Sequence, residues 1–334
     1  MNTTTRMGLR LLPLVAALAA GTVLAQVTTP QPPLKHSPVE MVDTLHGVFG
    51  DHHARAIHTK GIMLAGTFTP APSAASVSSA PHLQRTPVPI LVRFSNFAGV
   101  PGLADNDPLA SPRGMAIRFK LPDGSDTDLV AHSFNGFPSQ NADQFRELLQ
   151  ALAASGPTAA KPTALDGYLA THPAAKTFLT SVKPAPRSYA TLPYFGVNTF
   201  KFTNAHGKVT YGRYQIVPVA PAQYLTDAQA RGQAHDYLQR EINDRVGKKP
   251  ARFTLMLQVA GKGDLIDDPS VAWPDSRQKV ALGTISIDRP VPDSMAAEKT
   301  IVFMPNALPQ GIAVEDQMVN FRSAAYGVSF SKRQ

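Results

Sequence analysis

Thirty prolines and 23 glycines in 334 residues oblige this chain to turn often. Proline breaks helices and glycine favours tight turns, so a helical bundle or coiled coil is excluded. Hydrophobic residues make up 43% of the chain and charged residues 17%, ample for a folded core, which excludes a disordered or collagen-like polymer. The length suits one large β-rich domain or two ordinary ones. Between the turns, strand signals dominate. Residues 88–97 are β-branched and aromatic, and residues 115–121 alternate apolar and polar before the turn at Pro122-Asp123-Gly124. Residues 199–202 and 209–219 flank a turn and predict a hairpin, and 251–260 and 283–288 predict further strands. Helical patterns fall at 141–154, 161–181 and 226–246, with a weak one over 41–60. The sum is an α+β fold: an antiparallel β core, closing into a barrel, with inserted and flanking helices.

Residues 1–25 read as a secretory signal. Arg6 and Arg10 supply the positive start, Leu11 to Ala20 an apolar run, and Val23-Leu24-Ala25 a small-residue cleavage site. A membrane anchor is the weaker alternative, because that run is short for a hydrocarbon core of ~30 Å. Residues 26–40 are rich in Pro, Thr and Gln and predict a linker; 41–334 form a single domain. No later stretch approaches the ~20 apolar residues of a membrane helix, so the domain is expected not to span a membrane. There is no cysteine. Disulfides, thiolate nucleophiles, iron–sulfur clusters, cysteine zinc sites and thioether-linked haem are therefore excluded. Export without cysteine suits a bacterial periplasm. The net charge of +8 favours anionic partners. The basic residues are scattered, with no stripe of interleaved aromatics, so nucleic acid is not expected among them.

Several side chains carry possible chemistry. On a helix, Arg322 and Tyr326 share one face. A guanidinium beside a phenol stabilises the phenolate, a hard anionic ligand for ferric iron. Taken alone, the pair also reads as a surface arginine beside a core tyrosine. His58, in Arg55-Ala-Ile-His58-Thr-Lys-Gly61, would shuttle a proton between two peroxide oxygens if iron lay near, or would be a structural histidine. The pair His52-His53 lacks the spacing and acidic partners of a zinc site. Arg93 and Ser95 lie in a strand of alternating pattern. If Arg93 faced a barrel interior, its charge would need a partner, either a ligand carboxylate or an internal acid.

Taken in order, these segments resemble the haem catalase superfamily, and most closely its compact branch, the catalase-related peroxidases. The resemblance runs from about Gly47 to Arg333. It is carried by R-x-x-H-x-K-G at 55–61, VRFS at 92–95, D-P-x-x-x-P-R-G at 107–114 with the MAIRFKLPDGSDTDLV that follows, and TFKFTNAHGKVTYGRY at 199–214. Asp268-Pro to Trp273-Pro, Met304-Pro to Gly311-Ile, and R-x-x-x-Y at 322–326 complete the series.

The resemblance implies a catalase-like barrel with b-type haem bound at it. It makes His58 the distal acid/base, Ser95 its hydrogen-bond partner, Tyr326 the axial iron ligand and Arg322 the partner of that tyrosine. Arg55, Arg93 and Arg333 would hold the haem propionates. The family's distal asparagine sits in N-x-P-x-F-F, whereas the matching stretch here is Ala131-His-Ser-Phe-Asn-Gly-Phe137. Direct alignment places His132 there; a small shift places Asn135, favoured on side-chain type, with Phe137 lining the distal face. The match also stops seven residues after Tyr326, without the arm and helical region of the large catalases. The resemblance thus implies a peroxidase that uses hydrogen peroxide to oxidise a small organic donor. Weak catalase activity would accompany it, in a monomer or small homo-oligomer. Alternatives in the same fold are a fatty-acid hydroperoxide lyase or isomerase and a non-enzymatic lipid- or haem-binding barrel.

Overall fold

The computed structural model describes residues 33–334, together with residues 1 and 28. The segment read as a secretory signal and most of the expected linker lie outside the described residues. The chain order is α1 (Pro38–Phe49), β1 (Gly61–Pro70), β2 (Val88–Ser95), β3 (Gly114–Lys120), β4 (Asp126–His132), α2 (Ala142–Ala153), α3 (Ala164–Thr171) and α4 (Pro173–Thr180). It continues through β5 (Tyr194–Phe195), β6 (Phe200–Thr203), β7 (Val209–Pro218), α5 (Asp227–Arg231), α6 (Tyr237–Val246), β8 (Ala251–Val259), β9 (Lys279–Pro290), α7 (Ser294–Thr300), β10 (Ile312–Val314) and α8 (Met318–Lys332).

All strand pairs are antiparallel, in the order β10-β6-β7-β5-β4-β3-β2-β1-β9-β8, and pairing of β7 with β8 closes eight strands into a barrel. Register shifts in β1 and β8 against β9 bend the wall, as closure requires. Side chains alternate across the wall. Ile62 and Leu64 of β1, Val92 and Phe94 of β2, Met115 and Ile117 of β3, and Leu129 and Ala131 of β4 fill the interior. The residues between them, Arg93, Ser95, Ala116, Val130 and His132, face outward onto a cavity. Of the two faces open to Arg93, the structure selects the outer one: the strand's period of two puts Val92 and Phe94 inside and Arg93 outside.

Most expected elements appear with shifted ends. Helix α1 begins at Pro38, inside the stretch read as linker, because Ser37 caps it and Glu40 returns the bond to the Ser37 N–H in a capping box. Lys35 and His36 tie the preceding backbone to Asp143 of α2. The weak helical pattern of 41–60 ends at Phe49, where Gly50 at φ 89° breaks the helix. The pattern over 161–181 forms two helices, parted where Pro173 forbids helical backbone at His172. That over 226–246 also forms two, broken after Arg231.

Candidate active site

The cavity, about 180 Å³, lies between the outer face of β2, β3 and β4 and the helices α1, α2 and α8. Its walls are largely apolar: Met41, Val42 and Leu45 from α1, Phe145 from α2, and Phe321 and Ala325 from α8. Polar groups enter at three places.

On the barrel side stands His58. Its backbone is left-handed at φ 56°, a conformation that costs a non-glycine residue energy and persists only when neighbours enforce it. They do so here. The His58 N–H donates to the Phe97 carbonyl at 2.7 Å, and its own carbonyl accepts from the Arg93 guanidinium at 2.9 Å. The ring Nδ1 meets Ser95 Oγ at 3.1 Å, which leaves Nε2 for a ligand. Phe97 packs edge-on against the ring at 5.4 Å. Burial, then the charges of His132, Arg93 and Arg322, push the His58 pKa down to about 3, so the ring is neutral at neutral pH.

On the helical side stands Tyr326. Helix α8 brings Arg322 and Tyr326 onto one face, as the four-residue spacing predicts. The phenol oxygen accepts from two guanidinium nitrogens of Arg322, at 2.7 and 3.0 Å. The third nitrogen donates to Asn198, Asn198 donates to Asp316 at 2.7 Å, and Asp316 accepts the Met318 N–H at 2.9 Å. Burial raises the Asp316 carboxyl to about 6. Neither Asn198 nor Asp316 was singled out in the sequence, since their partners lie 118 and more residues apart.

At the rim three guanidiniums gather around one carboxylate. Arg93 pairs with Glu298 at 2.6 Å and donates to the carbonyls of His58 and Thr59. Arg55 and Arg333 both donate to the Ile301 carbonyl, at 3.0 and 2.7 Å. Burial, then the neighbouring Arg93 and Arg333, pulls the Arg55 pKa down to about 8. Burial, then Arg93, brings Arg333 to about 10. The Nε of Arg333 is buried and unpartnered. The duller partner considered for Arg93, an internal acid, is thus present. Glu298 carries one negative charge against three positive ones, which leaves room for two more anionic groups.

The structure brings His58, Ser95, Arg55, Arg93, Arg322, Tyr326, Arg333 and Phe137 to one cavity. It does not bring Asn135 there. Strand β4 runs through His132, whose side chain is on the outer face, and Asn135 lies three residues on in the following loop. His132 is therefore the group at that wall. Gly114 is a further residue the sequence reading left without a role. A Cβ there would collide with Ser95 Oγ and stand 2.7 Å from His58 Nδ1. Only glycine lets the imidazole lie against the wall.

This donor set fits a haem: a phenol oxygen held by a guanidinium on one side, an imidazole on the other, apolar walls, and a rim of under-neutralised arginines for two carboxylates. Tyrosine is a known axial ligand of haem iron.

Comparison with known proteins agrees. The catalase family model matches residues 51–333. The chain is 37% identical to a catalase-related peroxidase of Mycolicibacterium paratuberculosis, over 89% of this chain and 95% of that one. It is 30% identical to a catalase-related peroxidase of Synechococcus elongatus, over 89% and 88%. In fold it resembles a fungal catalase at a TM-score of 0.74 and 20% identity, covering 84% of this chain and 59% of that one. A bacterial catalase superposes at 0.73 and 20% identity, covering 92% and 63%. With the family matched over nearly all the described residues, and a cavity built as such a family requires, the chain belongs to the catalase family.

Proposed function

We propose that this protein is a haem-dependent peroxidase that reduces hydrogen peroxide at the expense of a small organic donor. The observation that carries the reading is Tyr326. Its oxygen accepts two N–H bonds from one guanidinium and lies in the same apolar cavity as an imidazole whose orientation Ser95 sets. When bound, haem supplies the redox chemistry at its iron.

The chain's own residues do the rest. Arg322 stabilises the Tyr326 phenolate. Arg55, Arg93 and Arg333 hold the two propionates. His58 enters neutral, with Nδ1 committed to Ser95. Nε2 would take the proton from one peroxide oxygen and hand it to the other. The apolar walls exclude bulk water, which strengthens each of these interactions. Among the described residues no helix is long and apolar enough to cross a membrane. We read the protein as periplasmic, on Arg6, Arg10 and the apolar run before Ala25; its release by osmotic shock tests that.

The functional test is the visible spectrum of the haem-loaded protein beside Tyr326→Phe. A high-spin ferric spectrum with tyrosinate character, lost in the variant, is expected. Peroxide consumption that rises on adding a phenolic donor, and falls about 10²-fold or more in His58→Ala, is expected with it. Failure of the wild type to take up haem overturns the reading.

A further inference from the structure

One buried group in the cavity has no role so far. Both ring nitrogens of His132 are buried and neither makes a hydrogen bond of good geometry, although the Phe134 backbone lies near enough to favour the charged ring. An imidazole closed off from water with two unsatisfied nitrogens is costly unless something entering the cavity uses them.

The barrel register shows what it adjoins. Ser95 pairs with Gly114, and Gly114 pairs with His132, so the three stand in one row across adjacent strands. Neighbouring strands are about 4.8 Å apart. The His58 ring occupies the space a Cβ of Gly114 would take. It therefore lies over the middle of the row, with Ser95 on one side and His132 on the other. Ser95 engages His58 Nδ1. His132 is packed edge-on against Phe178 of α4, with ring centroids 6.5 Å apart, and lines the same cavity as His58. Burial, then the charges of Arg322 and Lys183, holds it neutral, with a pKa of about 3. The pocket thus holds two neutral imidazoles, and of their four ring nitrogens only His58 Nδ1 has a side-chain partner.

We propose that His132 is a second proton acceptor of this pocket, able on its own to take the proton of a small weak acid that binds haem as its anion. The inference rests on the haem-binding reading above. The step balances without electron exchange. The H–X bond breaks, its electron pair stays with X, and X binds as an anion. The proton forms a new N–H on His132, which becomes an imidazolium. Each neutral tautomer of the ring keeps one nitrogen lone pair for this. An asparagine amide offers hydrogen bonds but no basic nitrogen, so it would not take the proton.

Hydrogen cyanide is the probe, and its association with the ferric haem protein is followed by the shift of the Soret band. His58→Ala is expected to associate within about tenfold of wild type, and H58A/H132N and H58A/H132F about 10²-fold more slowly than H58A, in keeping with the usual contribution of one proton-transfer group. The Soret band of each variant before cyanide reports an intact pocket. Two results overturn the proposal while leaving the haem reading intact: H58A already as slow as the double variants, or H58A/H132N as fast as H58A. In the second case, a rate lost only in H58A/H132F would make His132 a hydrogen-bond donor only. A wild type that takes up no haem overturns both readings together.

Discussion

Single atoms decide most of this site. His58 is held from three directions: at its N–H by Phe97, at its carbonyl by Arg93 and at its ring by Ser95. The ring rests where Gly114 has no side chain. Gly114→Ala tests this arrangement, because the added methyl meets Ser95 Oγ and His58 Nδ1 and the wall strands cannot retreat. Overpacking of this kind costs about 1–3 kcal/mol. The expected outcome is a lower urea midpoint and at least a tenfold loss of peroxide turnover, read by denaturation and by steady-state assay; unchanged turnover would show that His58 tolerates displacement. The same scale explains why Asn135 lies outside the cavity lining. Side-chain chemistry favoured an amide, but the strand's alternation decides which residue faces the cavity, and β4 puts His132 there.

Elements set which charges meet. Helix α7 is only seven residues long, and Asp293 caps it. Its Glu298 side chain is 15% exposed and Arg93 is 4% exposed, so the pair that joins α7 to β2 is largely dry. Removing one partner of such a pair costs about 3 kcal/mol. Glu298→Gln is therefore expected to lower the urea stability of the haem-free protein by roughly that amount. It also leaves Arg55, Arg93 and Arg333 without their carboxylate, so haem should bind more tightly, by about tenfold for one removed repulsion of about 1.4 kcal/mol. Competitive transfer of haem to apomyoglobin measures this; weaker binding in Glu298→Gln would show that the acid orients the arginines instead of competing for them. On a helix Arg322 and Tyr326 must be neighbours, because a four-residue spacing fixes one face, but that Met318–Lys332 is helical came from the structure. The continuation of that pair to Asn198 and Asp316 was not legible in the sequence, because those bonds join elements far apart in the chain.

Across the whole molecule, buried titrating groups set the response to acid. His58 and His132 are pushed down to about 3, and His82, deep in the barrel against Phe119, to about 4. The unfolded chain takes up protons at these rings near 6.5, whereas the folded one does not. Their contribution is full above that pH and is lost as the pH falls toward the folded values. At pH 5 each ring costs about 2 kcal/mol. Asp316 acts in the opposite sense. Raised to about 6, it disfavours folding increasingly as the pH rises from about 4 to about 6 and fully above that, and going from pH 7 to pH 5 returns about 1 kcal/mol. The haem-free protein is thus expected to lose on the order of 4–5 kcal/mol of stability between pH 7 and pH 5. Urea titrations at the two values test it, and His82→Leu should remove about 2 kcal/mol of the pH-dependent loss. Equal stability at both pH values would mean that the rings admit water.

Much of the local order of this chain was legible in the sequence alone. Runs of strand-forming residues marked β2, β3 and β6 to β9, and turn residues marked several of their ends, because such signals depend only on the backbone period; β1, β4 and α8 were not marked in this way. The order of short motifs pointed to the family and to the residues that reach the cavity. Tertiary structure decided what alternation leaves open: which face of the wall is the interior. The closed barrel puts Val92 and Phe94 inside and Arg93 outside. It also aligned Ser95, Gly114 and His132 in one row, and gave Arg93 a partner 205 residues away in Glu298. Such pairings follow from barrel closure and register, properties of the whole sheet that no single segment encodes.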